Sequence, residues 1–560
     1  MFDAIVVGSG MSGGWAAKEL TEKGLKTLVI ERGRHVEHGA DYKDSLNPWE
    51  LENFGFVPEE EVAKDYAIQS QCYAFSSATQ QFWVKDSDHP YTYPEDKPFM
   101  WIRGYHLGGR SLMWARQSYR LSPMDFESNA KDGHGSDWPI RYEDMAPWYD
   151  HVEKFAGISG SREGLPQLPD GQFLPPMELT SAEKDFKAKM EAAFPTRKLI
   201  TGRCAHLTEA QPHHEELGRV SCQYRSLCER GCSYGAYFSS LSATLPAAER
   251  TGNLTVVTDA IAHSVIYDPK TGKATGVRVI DAKTKQGRTY EGKVVFLCAS
   301  AIGTAQIMLN STSEAFPRGI ANKSDAVGRY LMDHLSGIGI GGTYPGDDSL
   351  YHRGRRPNGF YIPRYRNVTE AGDFVRGFGY QGSILRENWR RGTWQNGAGA
   401  EYKKSLRAPG KWRVGMGGFG EMLPRPENRV TLHPTNKDKW GIPIAHIDCS
   451  LGENDKKIIA QAYADGKAML EAAGCTDITA GKHYGGLGLG IHEMGTAHMG
   501  KDPTKSVLNK YNQAHDVPNL FITDGACMAS GGCQNPSLTY MAMSARGAHF
   551  AAQFLKDGVI

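Results

Sequence analysis

The chain of 560 residues contains 40% hydrophobic residues, which is enough for two or three domains with buried cores. Lys and Arg number 64 and Asp and Glu number 63, so the formal net charge of +1 excludes long-range attraction to nucleic acid or anionic lipid. No stretch approaches the roughly 18 apolar residues of a membrane span, so we expect no direct membrane span. The N-terminus has neither a twin arginine nor a basic region before an apolar core, and we expect no export signal in this chain.

The N-terminal segment predicts a strand, a glycine turn, a helix and a second strand. Its parts are FDAIVV at 2–7, GSGMSGG at 8–14, WAAKELTEKG at 15–24 and KTLVIE at 26–31. In such a unit Gly8 makes the tight turn, Gly10 lets the backbone approach a pyrophosphate, and Gly13 lets helix and strand pack closely. Amides at the helix start, near Ser12, hold the phosphates, and Glu31 accepts from ribose hydroxyls. The motif predicts dinucleotide binding, but FAD and NAD share this half of the molecule.

The rest of the chain divides by composition. From 34 to 100 the pattern is irregular and predicts an excursion, after which RGYHLGGRSLMW at 103–114 places Gly108, Gly109 and Ser111 where backbone must approach something closely. The segments LTVVTD at 254–259, HSVIYD and ATGVRVIDA predict a small β-meander, and the strand around Leu297 returns to a parallel sheet. Residues 336–485, with RVTLHP and IPIAHIDCS, predict a substrate domain with an antiparallel sheet, followed by a helix over 455–473.

The C-terminal segment carries the most specific motifs. They are IHEMGTAHMG at 491–500, PNLFITDG at 518–525 and QNPSLT at 534–539, followed by a helix to about Leu555. Together with the glycine turn, the segment around Gly108, the strand around Leu297 and RVTL near Val430, they resemble the glucose-methanol-choline (GMC) oxidoreductase family. The resemblance implies bound FAD and an α/β Rossmann-type FAD-binding domain joined to an α+β substrate domain with an antiparallel sheet. The implied FAD domain is discontinuous (1–335 and 486–560, with an excursion at 35–97 and a cysteine segment at 204–240), and the substrate domain is 336–485.

The resemblance also implies a catalytic pair, His492 and Asn535. A neutral imidazole can take the proton of an alcohol while its hydride passes to the flavin, and Asn535 can donate to the developing alkoxide. The alternatives are a packed core histidine and, for Asn535, an N-cap with proline at the first helical position. Asp524 and Gly525 resemble the family position that contacts the flavin ribityl or phosphate groups, although an Asp-Gly turn is also a structural feature. His498 is expected to support its loop.

Covalent attachment of the flavin is not expected. Several relatives attach it to a histidine shortly after the paired glycines, whereas this chain has Met113 and Trp114 there. Neither side chain offers a nucleophilic nitrogen for that bond, so the sequence predicts non-covalent FAD.

Three cysteines, Cys222, Cys228 and Cys232, crowd together at spacings of six and four residues. Soft thiolate ligands favour iron–sulfur or zinc. The spacing resembles the three-iron (3Fe-4S) segment of bacterial membrane-linked sugar dehydrogenases of this family, and Cys204 is a less suitable fourth ligand. Structural zinc and unliganded thiols are the alternatives.

The resulting expectation is an FAD-dependent dehydrogenase of a sugar or glycoside. The segment GGRSLMWARQSYR at 108–120 resembles enzymes that oxidise the C3 hydroxyl of glucosides to 3-keto sugars. Oxidation of C1 of glucose, C2 of gluconate or C5 of fructose stays open, as does a sugar oxidase that uses oxygen. A nicotinamide-dependent dehydrogenase or a non-catalytic dinucleotide-binding protein would leave the C-terminal motifs without a purpose. The resemblance further implies a small companion subunit with a twin-arginine signal, a cytochrome c acceptor and a periplasmic location by joint export, with a cytoplasmic enzyme as the alternative.

Overall fold

The computed structural model describes residues 1–350, 358–393, 395–481 and 484–560. The strands of these residues are, in chain order, β1 (Phe2–Val7), β2 (Thr27–Ile30), β3 (Ile200–Thr201), β4 (Leu254–Val257), β5 (Ala260–Asp268), β6 (Lys273–Asp281), β7 (Gly287–Leu297), β8 (His334–Thr343), β9 (Phe360–Ile362), β10 (Phe378–Arg386), β11 (Trp412–Glu421), β12 (Arg429–Lys437), β13 (Pro443–Asp448), β14 (Thr476–Ala480) and β15 (Leu520–Ile522). The α-helices are α1 (Met11–Glu22), α2 (Glu59–Asp65), α3 (Pro123–Asp132), α4 (Tyr142–Ala156), α5 (Ser181–Ala193), α6 (Pro212–Glu215), α7 (Leu245–Glu249), α8 (Ala301–Asn310), α9 (Gly399–Arg407), α10 (Glu453–Ala472) and α11 (Ser537–Lys556).

Parallel strands form the centre of the first sheet. Its order is β4-β2-β1-β7-β6-β5, and β15 also pairs with β7. Strands β4, β2, β1, β7 and β15 run parallel, whereas β6 pairs antiparallel with the first half of β7 and β5 pairs antiparallel with β6. Strand β2 is buried throughout, as expected for a parallel strand covered on both faces. The β1-α1-β2 unit predicted from the sequence is therefore the centre of a mixed sheet.

The second sheet has the order β14-β8-β11-β10-β9-β3, and its strands pair antiparallel. Helices α5 and α10 pack on one face. Alternate residues of β11, including Val414 and Met416, are buried in the core on this side. The residues between them, Gly415 and Gly417, point to the opposite face because side-chain directions alternate along a strand. That opposite face is therefore lined by glycine and has room in front of it.

The predicted fold class is confirmed: a Rossmann-type α/β sheet accompanies an antiparallel substrate-domain sheet. Two strand assignments differ from the sequence prediction. LTVV (β4) is a parallel strand beside β2 and not part of the meander, because a short apolar β-branched run suits either kind of strand. RVTLHP and IPIAHIDCS contribute β12 and β13, which pair with each other in a separate two-stranded sheet. The meander itself consists of β5, β6 and the start of β7.

The C-terminal segment returns to the first sheet. Strand β15 lies beside β7, and α11 packs against α1 and α4. Strand β3, from the first half of the chain, joins the second sheet through β9. The predicted domain boundaries at 335 and 486 stay predictions. No helix in the described ranges is long and apolar enough to cross a membrane.

Candidate active site

The turn between β1 and α1 depends on close backbone contacts. Gly8 has a φ of +96°, and a Cβ atom there would lie 2.4 Å from the carbonyl oxygen of Cys298. A Cβ atom on Gly13 would lie 1.8 Å from the carbonyl oxygen of Gly8. At Gly10 the nearest neighbouring atom, the carbonyl oxygen of Gly108, would be 3.9 Å away. Gly8 and Gly13 therefore allow tight packing, while the backbone of Gly10 stays accessible to a ligand.

The segment around Gly108 and Gly109 packs on this turn through a contact with Ser9, a residue of the turn. The Gly108 amide donates to Ser9 Oγ at 2.9 Å, and Ser9 Oγ donates to the Glu31 carboxylate at 2.5 Å. The Gly33 amide donates to the other oxygen of Glu31 at 2.8 Å. Burial raises the pKa of Glu31, against the opposing effect of these hydrogen bonds. Ser111 completes the contact by donating to the Gly108 carbonyl at 2.6 Å.

A cavity of about 470 Å³ opens from this turn, within the range of roughly 300–1,000 Å³ that is typical of ligand pockets. It brings together most of the predicted catalytic and cofactor-binding residues, namely Gly8, Gly10, Ser12, Glu31, Gly109, Ser111, His492, Asp524, Gly525 and Asn535. The other two, Gly13 and Gly108, support its wall from behind, as their contacts above show.

The cavity wall suits FAD. The amides at the start of α1 can hold phosphates, and Glu31 is placed to accept from a ribose. Asp524, at a second position in the wall, accepts from Thr304 Oγ1 at 2.6 Å and from the Ala526 amide at 2.9 Å. Burial raises the pKa of Asp524 to about 6. Glu31, Asp524 and the amides at the start of α1 would hold the sugar and phosphate groups of FAD. FAD would supply the acceptor for a hydride. Trp114 also lines the cavity, and non-covalent attachment stays a prediction.

His492 lies in the wall on a strained loop. The preceding residue, Ile491, has a φ of +58°, which is uncommon for a β-branched side chain. His492 Nδ1 lies 3.0 Å from Nδ1 of His334. Burial, with the neighbouring His334 and Arg110, lowers the pKa of His492 far below its usual value. The imidazole is therefore neutral at physiological pH, as a proton-accepting group must be.

Asn535 is oriented by the second sheet. Its side-chain oxygen accepts a short hydrogen bond from the side-chain amide of Gln381 on β10. Asn535 lines the cavity, and its NH2 group is available as a donor there. Gln381 pairs in register with Gly417 on β11, and both residues line the cavity. Helix α11 begins at Ser537 with Pro536 in the N-cap position. The interpretation of Asn535 as the N-cap is therefore wrong by one residue.

A buried carboxylate holds the loop that carries His492. Asp333 Oδ1 accepts from the amides of His334 at 2.8 Å and His492 at 3.0 Å. Its Oδ2 accepts from the amides of Gly488 at 2.9 Å and Gly490 at 3.0 Å. Burial and the nearby Glu493 carboxylate raise the pKa of Asp333 to about 7. One side chain thus fastens the loop to the start of β8.

Sequence reasoning missed Asp333, His334 and Gln381. A signal existed for the first two, because an Asp-His pair at the start of an apolar, glycine-rich strand puts polar groups where a core strand needs none. Gln381 had no comparable signal, since its partner lies 154 residues away in the chain. Outside the cavity, His498 bonds to Ser136 and to the Lys505 carbonyl, which agrees with the predicted role in supporting its loop.

The three predicted metal ligands lie near the protein surface with free thiols. Cys222 Sγ accepts from the Tyr224 amide at 3.4 Å, and Cys228 Sγ lies 3.8 Å from Nε2 of His206. Burial raises the pKa of Cys228 to about 12, the Arg116 guanidinium opposes this, and the Cys222 and Cys232 thiols add to it. In the described part of the chain, no group of three or more His, Cys, Asp or Glu side chains is arranged to hold a metal ion.

Family models for the N- and C-terminal parts of GMC oxidoreductases match residues 2–336 and 424–544. The chain belongs to the GMC oxidoreductase family, whose members act on CH–OH groups with FAD. The 2-methyl-1,2-propanediol dehydrogenase of Mycolicibacterium austroafricanum is 28% identical, over 99% of this chain and 96% of its own. The fructose dehydrogenase large subunit of Gluconobacter japonicus is 26% identical, over 99% and 98%. The pyridoxine 4-oxidase from Mesorbium loti, 15% identical with a TM-score of 0.61, covers 98% of this chain and 99% of its own and shares the fold.

Replacing Asp333 by Asn is expected to loosen the loop that carries His492. At pH 8 the carboxylate is ionised and accepts from four amides, whereas an Asn side chain would turn its NH2 group towards two of them. Unsatisfied buried donors cost about 1–3 kcal/mol, so hydrogen exchange at Gly488, Gly490 and His492 should accelerate by roughly 5- to 150-fold. Asp268→Asn is the matched control, because Asp268 is a partly exposed carboxylate at the end of β5 that also accepts an amide. Unchanged exchange in Asp333→Asn would show that the loop is held by other contacts.

Proposed function

We propose that this GMC oxidoreductase is a dehydrogenase of a sugar or glycoside, with the C3 hydroxyl of a glucoside as the preferred position. One observation carries the proposal. A single cavity is bounded by the dinucleotide turn on one side and by His492, Asn535 and the open face of the second sheet on another. A cofactor held at the turn and an alcohol held at the pair would therefore meet in one cavity.

The substrate end of the cavity suits a polyhydroxylated molecule. Gln381 and Ser336 contribute polar groups, while Gly337 and Gly417 contribute no side chain and leave room for a ring. Phe419 adds an aromatic surface in the same wall, of the kind that packs on the apolar face of a bound molecule.

In the proposed reaction, the alcohol loses a proton to one acceptor and a hydride to another. Neutral His492 accepts the proton of the hydroxyl group, and FAD, when bound at the glycine turn, would supply the acceptor for the hydride of the same carbon. Asn535 donates from its NH2 group to the oxygen as negative charge develops there. An oriented donor of this type typically contributes roughly 10²–10³ in rate. The products are a carbonyl compound and a two-electron-reduced cofactor, so atoms and electrons balance.

The segment at 108–120 favours C3 as the oxidised position, because it resembles that of enzymes oxidising C3 of glucosides. Its residues Gly109, Ser111 and Trp114 line the cavity. The alternatives are oxidation of glucose at C1, gluconate at C2 or fructose at C5, and an oxidase reaction with oxygen. The name of the fructose dehydrogenase relative supports the sugar class without distinguishing the position.

An anaerobic substrate screen tests this proposal. Purified protein loaded with FAD is mixed with methyl glucoside, glucose, gluconate, fructose or 2-methyl-1,2-propanediol, and bleaching of the flavin is followed. We expect fastest bleaching with methyl glucoside and a product with its carbonyl at C3. Bleaching by the diol alone would reject the sugar class, and bleaching by another sugar would move the position. Rapid reoxidation by oxygen would favour the oxidase.

His492→Ala is expected to retain FAD and to lower the rate of flavin reduction by roughly two to four orders of magnitude, the range for a positioned base. FAD should stay bound because the glycine turn is formed by other residues. The measurement is stopped-flow absorbance of a fully flavinated sample. His498→Ala, which removes a buried histidine from outside the cavity wall, is the control for nonspecific damage. Near-normal reduction in His492→Ala would move the base elsewhere.

We further propose that electrons leave towards the segment of Cys222, Cys228 and Cys232, with these thiols holding a 3Fe-4S cluster. The sequence spacing of the three free thiols supports this, and the Arg116 guanidinium partly offsets the burial that raises the pKa of the Cys222 and Cys228 thiols. The three thiols would have to move closer together to bind the cluster. A one-electron carrier beside a two-electron flavin suits a cytochrome-type acceptor. A small companion subunit and periplasmic location by joint export belong to the same proposal, whose alternative is a cytoplasmic enzyme.

Cys228→Ser should remove the cluster and leave flavin reduction by sugar intact, because the hydride passes directly from substrate to flavin. Reduction of cytochrome c should collapse. Iron and sulfide analysis of the purified protein, with stopped-flow flavin reduction, separates the two effects. Cys475→Ser changes a free thiol in the core of the second sheet and serves as the control. An iron-free Cys228→Ser protein that reduces cytochrome c at the normal rate would make these cysteines structural.

A further inference from the structure

We infer that His334 is a positioning residue that fixes the proton of His492 on Nδ1 and leaves Nε2 as the basic nitrogen. The inference rests on the proposed role of His492 as base and adds the reason why that base has the correct tautomer. A neutral imidazole carries its proton on either nitrogen, and the partner of one nitrogen decides which form prevails. Here the contacts of His334 determine which nitrogen of His492 carries the proton.

The first contact is with a backbone carbonyl. His334 Nε2 lies 2.9 Å from the carbonyl oxygen of Gly532. A carbonyl oxygen only accepts hydrogen bonds, so Nε2 of His334 must carry the proton. Burial also lowers the pKa of His334 to about 4, which keeps the ring neutral. Its Nδ1 is therefore a lone-pair acceptor.

The second contact joins the two rings. His334 Nδ1 and His492 Nδ1 are 3.0 Å apart, a normal hydrogen-bond distance between nitrogens. Because the nitrogen of His334 can only accept, that of His492 must donate. His492 is neutral, so its single proton is used in this bond and Nε2 carries the free lone pair. His492 lines the cavity, and Nε2 is the nitrogen left to accept a proton from a bound alcohol.

The backbone and a third ring hold this arrangement. Asp333 accepts the amides of both histidines, so the two rings project from backbone fixed by one carboxylate. The imidazole planes meet at 85° with centroids 4.9 Å apart. Phe419 packs against both, at 6.4 Å from His334 and 6.1 Å from His492. Rotation of either ring would break a hydrogen bond inside a packed site.

Two substitutions at one position separate the tautomer effect from packing. In His334→Asn, the side-chain oxygen sits near the place of Nδ1 and can accept from His492. In His334→Phe, the ring shape is retained but the acceptor is gone. Both variants lose the bond to Gly532, so this loss cancels in the comparison. We expect the Phe variant to reduce its flavin roughly 10- to 100-fold more slowly than the Asn variant. The effect should fall on the reduction rate constant more than on the substrate Kd, because the hydrogen bond orients the base without touching the substrate.

Nitrogen NMR provides a test that does not depend on turnover. Protein labelled with 15N in the histidine rings is compared with His492→Gln to assign the His492 signals. The wild type and His334→Asn should show His492 protonated on Nδ1, and His334→Phe should show a shift towards Nε2 protonation. Wild-type protein with the proton on Nε2 overturns the inference even if a sugar is oxidised, as do equal rates for the Asn and Phe variants. If no alcohol in the screen is oxidised, the function proposal fails, while the wild-type spectrum still decides the tautomer.

Discussion

The candidate active site depends on one buried carboxylate. Asp333 accepts four backbone amides, from His334, Gly488, Gly490 and His492. Gly490 approaches so closely that a Cβ atom there would lie 2.3 Å from the carboxylate oxygen. Unpaired buried amides are costly, so the loop depends on the carboxylate as acceptor for its amides, and the buried carboxylate depends on the loop for its hydrogen bonds. The strained backbone at Ile491 is held by the same contacts, which is how local strain persists at functional sites.

Two sheets share the work of the site in different ways. The first sheet supplies the turn that would hold the cofactor, and the C-terminal segment that returns to it supplies His492 and Asn535. The second sheet orients both of these side chains, through His334 at the start of β8 and Gln381 on β10. Substitutions in the second sheet can therefore alter the chemistry without touching the cofactor, as well as altering which substrate fits.

The local parts of this structure could be predicted from sequence and the nonlocal parts could not. The glycine turn was predictable because its contacts lie within one strand-turn-helix unit, and the fold class followed from several ordered motifs. Strand β4 was misplaced because periodicity does not reveal which neighbour a strand pairs with. His334 and Gln381 were missed because each meets its partner across more than 150 residues of chain. Their roles come from hydrogen-bond direction, which no spacing in the sequence encodes.

The proposed electron exit uses a different part of the cavity wall from the proposed base. Tyr73 and Trp114 line the cavity, and the Arg116 guanidinium donates to the Trp114 carbonyl at 2.6 Å. Arg116 also interacts electrostatically with Tyr73 and Cys228, and its pKa is raised by them against the effect of burial. Asp333, His334 and Gln381 belong to the second sheet and its border. Substitutions can therefore impair hydride transfer and electron exit separately. A variant that loses one step and keeps the other would show which part of the wall serves that step.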